Sequence, residues 1–174
     1  MATLAGIRIR RAEPHDASIL AEMRARSHSE RNPVAPAELD RFRVTCERAF
    51  FRALSESWLR AWLAYDGERP IGTASLTLAA TLPRVECHAS FEPDDGARVD
   101  GRVRNVFVER TYRRRGVARA LMAELFAEAE REGVDRLALG TSQLGRPLYE
   151  ALDFVDKNDE MIYRRKPRSA ISLR

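Results

Sequence analysis

The chain has 174 residues, 44% hydrophobic and 32% charged, a balance that excludes a disordered, collagen-like or disulfide-built scaffold. The 30 Lys and Arg against 26 Asp and Glu leave a net charge of only +4, too small for overall charge to single out nucleic acid as a partner. At this length one domain over 1–174 with its own core is expected, ending in a basic tail at 165–174. Apolar runs fall short of the roughly 18–20 residues of a membrane span, and the opening residues lack the apolar stretch of a signal peptide. Cys46 and Cys87 form no CxxC pair, so a cytoplasmic protein without a structural metal is expected.

In chain order, Ile7-Arg8-Ile9-Arg10 alternates apolar and polar and reads as a strand. Pro14 and Asp16 read as a turn and N-cap before a helix carrying Ile19, Leu20 and Met23. A second helix is expected from Ala37 to about Ser57, with Phe42, Cys46, Phe50 and Ala53 on one stripe. Trp58–Tyr65 and Ile71–Leu78 flank Asp66-Gly67-Glu68-Arg69-Pro70 as a hairpin. Residues 83–100 are polar and aperiodic and read as a long loop, with part of a strand near Val85–His88. Val103–Val108 is a strand, Glu109–Arg115 a turn, and Gly116 to about Glu132 a helix. That helix has Val117, Leu121, Met122, Leu125, Phe126 and Ala129 inward, Glu124, Glu128 and Arg131 outward, and Gly133 past its end. A strand over Val134–Leu139, a short helix over Arg146–Leu152 and strand segments at Phe154–Val155 and Met161–Tyr163 complete an α/β sheet protein.

The chemistry concentrates where Val106-Phe107-Val108 turns through Arg113-Arg114-Arg115 into the helix at Gly116-Val117-Ala118. The first amides of a helix have no internal partner and lie at its positive dipole end. A glycine there admits a ligand close to the backbone, and arginines add charge-assisted bonds. The pattern suits a pyrophosphate, although a basic turn before a surface helix also satisfies it.

Arg113-Arg114-Arg115-Gly116-Val117-Ala118 resembles the R/Q-x-x-G-x-G/A motif of the GNAT N-acetyltransferases, and Leu148-Tyr149-Glu150-Ala151-Leu152-Asp153-Phe154 resembles that family's LYExLGF element. The resemblance implies a central mixed, mostly antiparallel sheet of about 6–7 strands with about four helices. It also implies acetyl-CoA as co-substrate, bound where the Val103–Val108 strand splays from the Val134–Leu139 strand. By the same resemblance, backbone groups of Val106, Phe107 and Val108 hold the pantetheine arm and the thioester carbonyl. Amides and side chains from Arg113, Arg114, Arg115, Gly116, Val117, Ala118 and Arg119 hold the pyrophosphate. Ser142 stands where the family often has a CoA-contacting Asn, and Tyr149 stands as the acid beside the sulfur. Asp153 replaces a glycine, which an αL conformation tolerates in Asp. Homodimers are common in the family.

The family's strand Glu or His falls at Arg102 and Arg104, and an arginine is no base at neutral pH. That leaves Glu86, His88 or the acidic run Glu92–Asp95, through water, as candidate bases. The acceptor, a primary amine of a small molecule, amino acid or protein, is not readable. Two other functions stay open at this stage. One is a CoA-binding sensor that has lost turnover; the other is a nucleic-acid binder using the arginines, whose affinity would fall steeply with salt.

Overall fold

A computed structural model describes residues 6–81, 98–134, 136–157 and 160–164. Its seven strands are β1 (Ile7–Arg11), β2 (Leu59–Asp66), β3 (Arg69–Thr81), β4 (Arg98–Val108), β5 (Arg136–Leu139), β6 (Val155–Lys157) and β7 (Glu160–Arg164). They form one sheet in the order β1-β2-β3-β4-β5-β7-β6. Every neighbouring pair is antiparallel except β4 and β5, which run parallel. A parallel pair needs a crossover, and the helix between them supplies it. The expected mixed sheet is therefore present.

Four helices cover the sheet: α1 (Ala17–Ser29), α2 (Pro36–Ser55), α3 (Val117–Arg131) and α4 (Arg146–Glu150). Strand alternation sorts the strand side chains onto two faces. Trp62, Ala64, Ala74, Leu76 and Val103 pack with Val117, Leu121, Met122 and Leu125 of α3. Leu59, Ala61, Leu63 and Tyr65 pack with Leu20 and Met23 of α1 and with Cys46, Phe50 and Ala53 of α2. Each fully buried side chain of the α3 stripe contributes about 1.5–3 kcal/mol. Pro36 opens α2 with the fixed φ a first helical turn needs. Gly133, at φ 67, ends α3, and Val134 N–H returns 2.8 Å to the Ala129 carbonyl.

Three expectations need correction. Residues Arg98–Asp100, read as part of a loop, open β4 and pair with Ala79–Thr81; the long β3 edge supplies partners that Asp100 and Gly101 hide from a periodicity argument. Glu128 does not face outward. It is 1% exposed, because Arg11 and Arg60 reach over it from β1 and β2, at 3.2 and 3.4 Å, and Arg131 joins at 2.6 Å. Asp16 precedes α1 but caps nothing there, since its carboxylate accepts from Glu13 N–H and from both terminal nitrogens of Arg10. The strand suspected near Val85–His88, the candidate bases Glu86, His88 and Glu92–Asp95, and the tail 165–174 lie outside the described residues. No described helix is long and apolar enough to cross a membrane.

Candidate functional site

The site begins where two parallel strands part. β4 and β5 pair only at Asp100–Arg136, Gly101–Leu137 and Arg102–Ala138, while β4 continues to Val108 with β3 as its partner. A bulge lies in the departing stretch: Ser75 pairs with Arg104 and Thr73 with Phe107, so Asn105 and Val106 together face Ala74. Asn105 sits at φ 55. Asparagine visits this left-handed region more readily than most residues, and a bulge bends the strand that carries it. The amide Nδ2 of Asn105 is buried and has no hydrogen-bond partner. Beyond the bulge Val106 and Val108 turn to the α3 core and Phe107 to the α1–α2 core.

The chain then passes through a short 3-10 turn, Arg110–Tyr112, into α3. Carboxylates anchor this passage. Buried Glu109 pairs with Arg26 of α1 and accepts from Arg69 Nη2 of β3 at 2.6 Å. Arg113 Nε donates to the Val108 carbonyl at 2.9 Å and its Nη2 to Glu30 at 2.5 Å, with its guanidinium 5.8 Å from the Phe107 ring centre. Tyr112 O–H donates to Asp66 at 2.8 Å. Arg114 takes φ 63, which costs a non-glycine residue about 1–3 kcal/mol and persists only where surroundings enforce it. Gly116 follows at φ 86 as the N-cap of α3, and no side chain caps the helix. The first-turn amides of Val117, Ala118 and Arg119 thus meet no capping group. Arg114, Arg115, Gly116 and Arg119 are exposed, whereas Val117 is buried and fixes the helix to the core.

Because β4 and β5 are parallel, both C-terminal ends open on the same edge of the sheet, the side where such sheets bind ligands. After β5, Ser142 closes the turn that leads into α4: its carbonyl accepts from Gly145 and Arg146 at 3.0 and 3.1 Å, and its Oγ accepts from Gly145 at 3.3 Å. Tyr149 is buried edge-on against Phe154, ring centres 5.7 Å apart, and that burial pushes its phenol up to about 12. Asp153 adopts φ 63, the left-handed conformation expected where the motif has glycine.

The structure thus places Val106–Val108 and Arg113–Arg119 on one side of the gap, and Ser142 and Tyr149 after the strand on the other side. Of the three motif arginines, Arg113 is committed to Glu30 and the Val108 carbonyl, leaving Arg114 and Arg115 exposed. Sequence reasoning missed Asn105, Glu109 and Glu30. The sole local hint was an asparagine just before the apolar run Val106–Val108; the two glutamates act through partners about 80 residues away in sequence. Much of the basic charge is likewise committed to carboxylates, with Arg10, Arg11, Arg26, Arg60, Arg69 and Arg113 all paired. A nucleic-acid surface therefore gains no support.

A family model described as the acetyltransferase (GNAT) family matches residues 20–154. The chain belongs to the GNAT acetyltransferase family. Its fold is similar to that of a predicted acetyltransferase with acetyl-CoA from Clostridium acetobutylicum, at TM-score 0.73 and 24% identity over 88% of this chain and 92% of that one. It is also similar to a GCN5-related N-acetyltransferase from Ralstonia eutropha, at TM-score 0.72 and 21% identity over 93% and 98%. PaiA N-acetyltransferase from Thermoplasma acidophilum, in complex with coenzyme A, aligns at TM-score 0.65 and 14% identity over 92% and 98%. No curated protein matches the chain by sequence.

Proposed function

We propose that this chain transfers an acetyl group from acetyl-CoA to a primary amine by direct attack with both molecules bound. The observation that carries the reading is the stretch of β4 beyond Arg102, paired with β3 but no longer with β5, which runs into a helix whose first amides no side chain caps. Family membership and structural relatives described with acetyl-CoA or coenzyme A support the same ligand. The residues present fit it. An extended strand edge offers amides and carbonyls to the amide-bearing pantetheine arm, and the orphaned Nδ2 of Asn105 adds a buried donor there. The helix opening at Gly116 suits a pyrophosphate.

Acetyl-CoA supplies the acyl carbon as a thioester, whose C–S bond breaks as the amine nitrogen bonds that carbon, the electron pair leaving with sulfur and the surplus ammonium proton going to solvent. Amides at Val106–Val108 hold the carbonyl oxygen as negative charge gathers on it, a type of contact worth about 3–4 kcal/mol. Amides of Arg114–Arg119 fix the pyrophosphate, and Ser142, whose Oγ is exposed enough to donate outward, steadies the opposite wall. Tyr149 holds its proton throughout the physiological range because burial raises its phenol to about 12. Against a thiol near 8.5, full proton transfer from such a phenol runs uphill by about 5 kcal/mol. Tyr149 therefore acts by donating a hydrogen bond to the departing sulfur. An acceptor amine near 10.4 must also lose its proton, at about 4.6 kcal/mol at pH 7, so turnover rises with pH through the neutral range.

The test is thiol release from acetyl-CoA with a panel of primary amines. Tyr149→Phe removes a hydrogen bond to a charged sulfur and is expected to lower kcat by about 10–100-fold while CoA affinity stays within two-fold. An unchanged kcat removes Tyr149 from the reaction. Tight CoA binding without thiol release for any amine makes the chain a CoA-binding sensor, the reading that arginines at 102 and 104 otherwise favour.

A further inference from the structure

Arginines of β4 and α1 gather on the sheet face opposite α3, at the point where β4 leaves β5. Gly101 and Val103 turn toward the α3 core, so alternation sends Arg102 and Arg104 to the other face, beside Ser75 and Thr77 of β3. Arg102 is the last residue of β4 paired with β5, and Arg104 stands two residues further along the departing strand. Arg24 comes from α1, which packs over β3 and β4, with its guanidinium 5.8 Å from the ring centre of Phe42. Burial, and then the charges of Arg102 and Arg24, hold the Arg104 guanidinium below the ordinary arginine range, so the three cations lie within electrostatic reach of one another.

This grouping is unlike the rest of the molecule. Arg26 and Arg113, close to Arg24 and Arg104 in sequence, each rest on a carboxylate. Among the described residues Arg24 and Arg104 form no ion pair. Arg24 and Arg104 are exposed, and like charges brought together repel, so an anion placed between them offsets that repulsion. This face, covered by α1 and α2, lies across the sheet from α3 and its opening at Gly116, so the cluster stands apart from the residues assigned to the pyrophosphate.

We infer that Arg104, with Arg24 and Arg102 beside it, recognises an anionic group on the acceptor, so that the amine substrate carries a carboxylate or a phosphate at its other end. The inference rests on the acetyltransferase reading above and specifies its substrate class. A guanidinium fork matches either oxyanion through two parallel N–H···O bonds. The same cluster repels polyamines and other acceptors with additional positive charge, which gives discrimination as well as affinity.

The experiment measures thiol release from acetyl-CoA with matched acceptors. Glycine, β-alanine, 4-aminobutyrate and glutamate are each compared with the amide that removes the carboxylate, and O-phosphoethanolamine is compared with ethanolamine. At least one anionic amine is expected to exceed its neutral counterpart ten-fold or more in kcat/KM, and the pair that does so separates carboxylate from phosphate. Arg104→Gln is expected to raise the KM for that amine ten-fold or more, with kcat within about two-fold and the CoA-induced thermal shift unchanged. Arg104→Lys should recover part of the loss, and Arg24→Gln gives an independent variant on another element. Equal or better use of the neutral amines, or an Arg104→Gln enzyme with unaltered KM, overturns the inference. So does a protein that binds CoA but acetylates none of the anionic amines. Absence of any CoA-induced shift instead brings down the acetyltransferase reading itself.

Discussion

Asp16 and Glu128 are each about 1% exposed, and both are carboxylates held by strand arginines, Asp16 by Arg10 of the preceding β1 and Glu128 by Arg11 of β1 and Arg60 of β2. A buried carboxylate is tolerable only when hydrogen-bonded and paired. Asp16 meets that condition through Arg10, at 2.7 Å to each oxygen, and through Glu13 N–H. The Arg10 bond, with the Glu13 amide and the Arg10 charge behind it, outweighs burial and holds the Asp16 carboxyl below its usual range. A carboxylate whose folded value is depressed adds stability above its unfolded value, near 3.9, and loses it as pH falls through the folded value. Asp16→Asn is therefore expected to cost about 1.5–3 kcal/mol near neutrality, with the gap from the parent closing below about pH 4. Thermal denaturation from pH 3 to 7 measures this. A gap that is constant across that range contradicts it. Sequence reading assigned Glu128 an outward face because spacing along α3 carries no information about the arginines of β1 and β2, and Asp16 a cap because its position before α1 does not show that its carboxylate turns back to Arg10 and the Glu13 amide.

At the scale of elements, periodicity located β1, both long helices, the β2–β3 hairpin and α3 to within a few residues, since each buries a regular stripe. The family motifs were legible for another reason: Arg113–Ala118 and Leu148–Phe154 are local patterns whose recognition needs no tertiary partner. What periodicity concealed was the start of the central strand, whose second part, Val103–Val108, was read as a strand. Asp100 and Gly101 interrupt the apolar pattern there, so Arg98–Asp100 looked like loop. Gly101 is there because space is lacking. A Cβ on it would lie 2.4 Å from Leu137 Cδ2, 3.0 Å from Leu76 Cδ1 and 3.2 Å from Val134 Cγ1, and Leu76 and Leu137 are fully or almost fully buried. Overpacking costs about 1–3 kcal/mol, less about 0.4–1 kcal/mol gained from a stiffer unfolded chain. Gly101→Ala should therefore lower stability by about 1–2 kcal/mol, or Tm by roughly 2–6 °C. A Tm equal to or above that of the parent would show that β4 and β5 do not pair as closely as described.

Across the whole molecule the sheet divides the labour. α3 and its core lie on one face and present the helix opening at Gly116, while α1 and α2, with Arg24, lie on the other. Glu109 joins the two: it pairs with Arg26 of α1 and Arg69 of β3 from the residue that follows β4, and Glu30 at the end of α1 holds Arg113. The end of α1 and the loop before α3 are thus one connected unit, which explains how a strained residue such as Arg114 is held in place. Every functional statement depends on that loop gripping coenzyme A. Thermal denaturation with and without millimolar coenzyme A tests it most directly, with Gly116→Val, whose side chain would fill the helix opening, as the control. For a ligand at about 100 times its Kd, stabilisation is about 2.7 kcal/mol, so the account predicts a Tm rise of roughly 5–10 °C that the Gly116→Val protein lacks. A cooperative melt whose midpoint does not move with coenzyme A, or one that moves equally in the Gly116→Val protein, would contradict it.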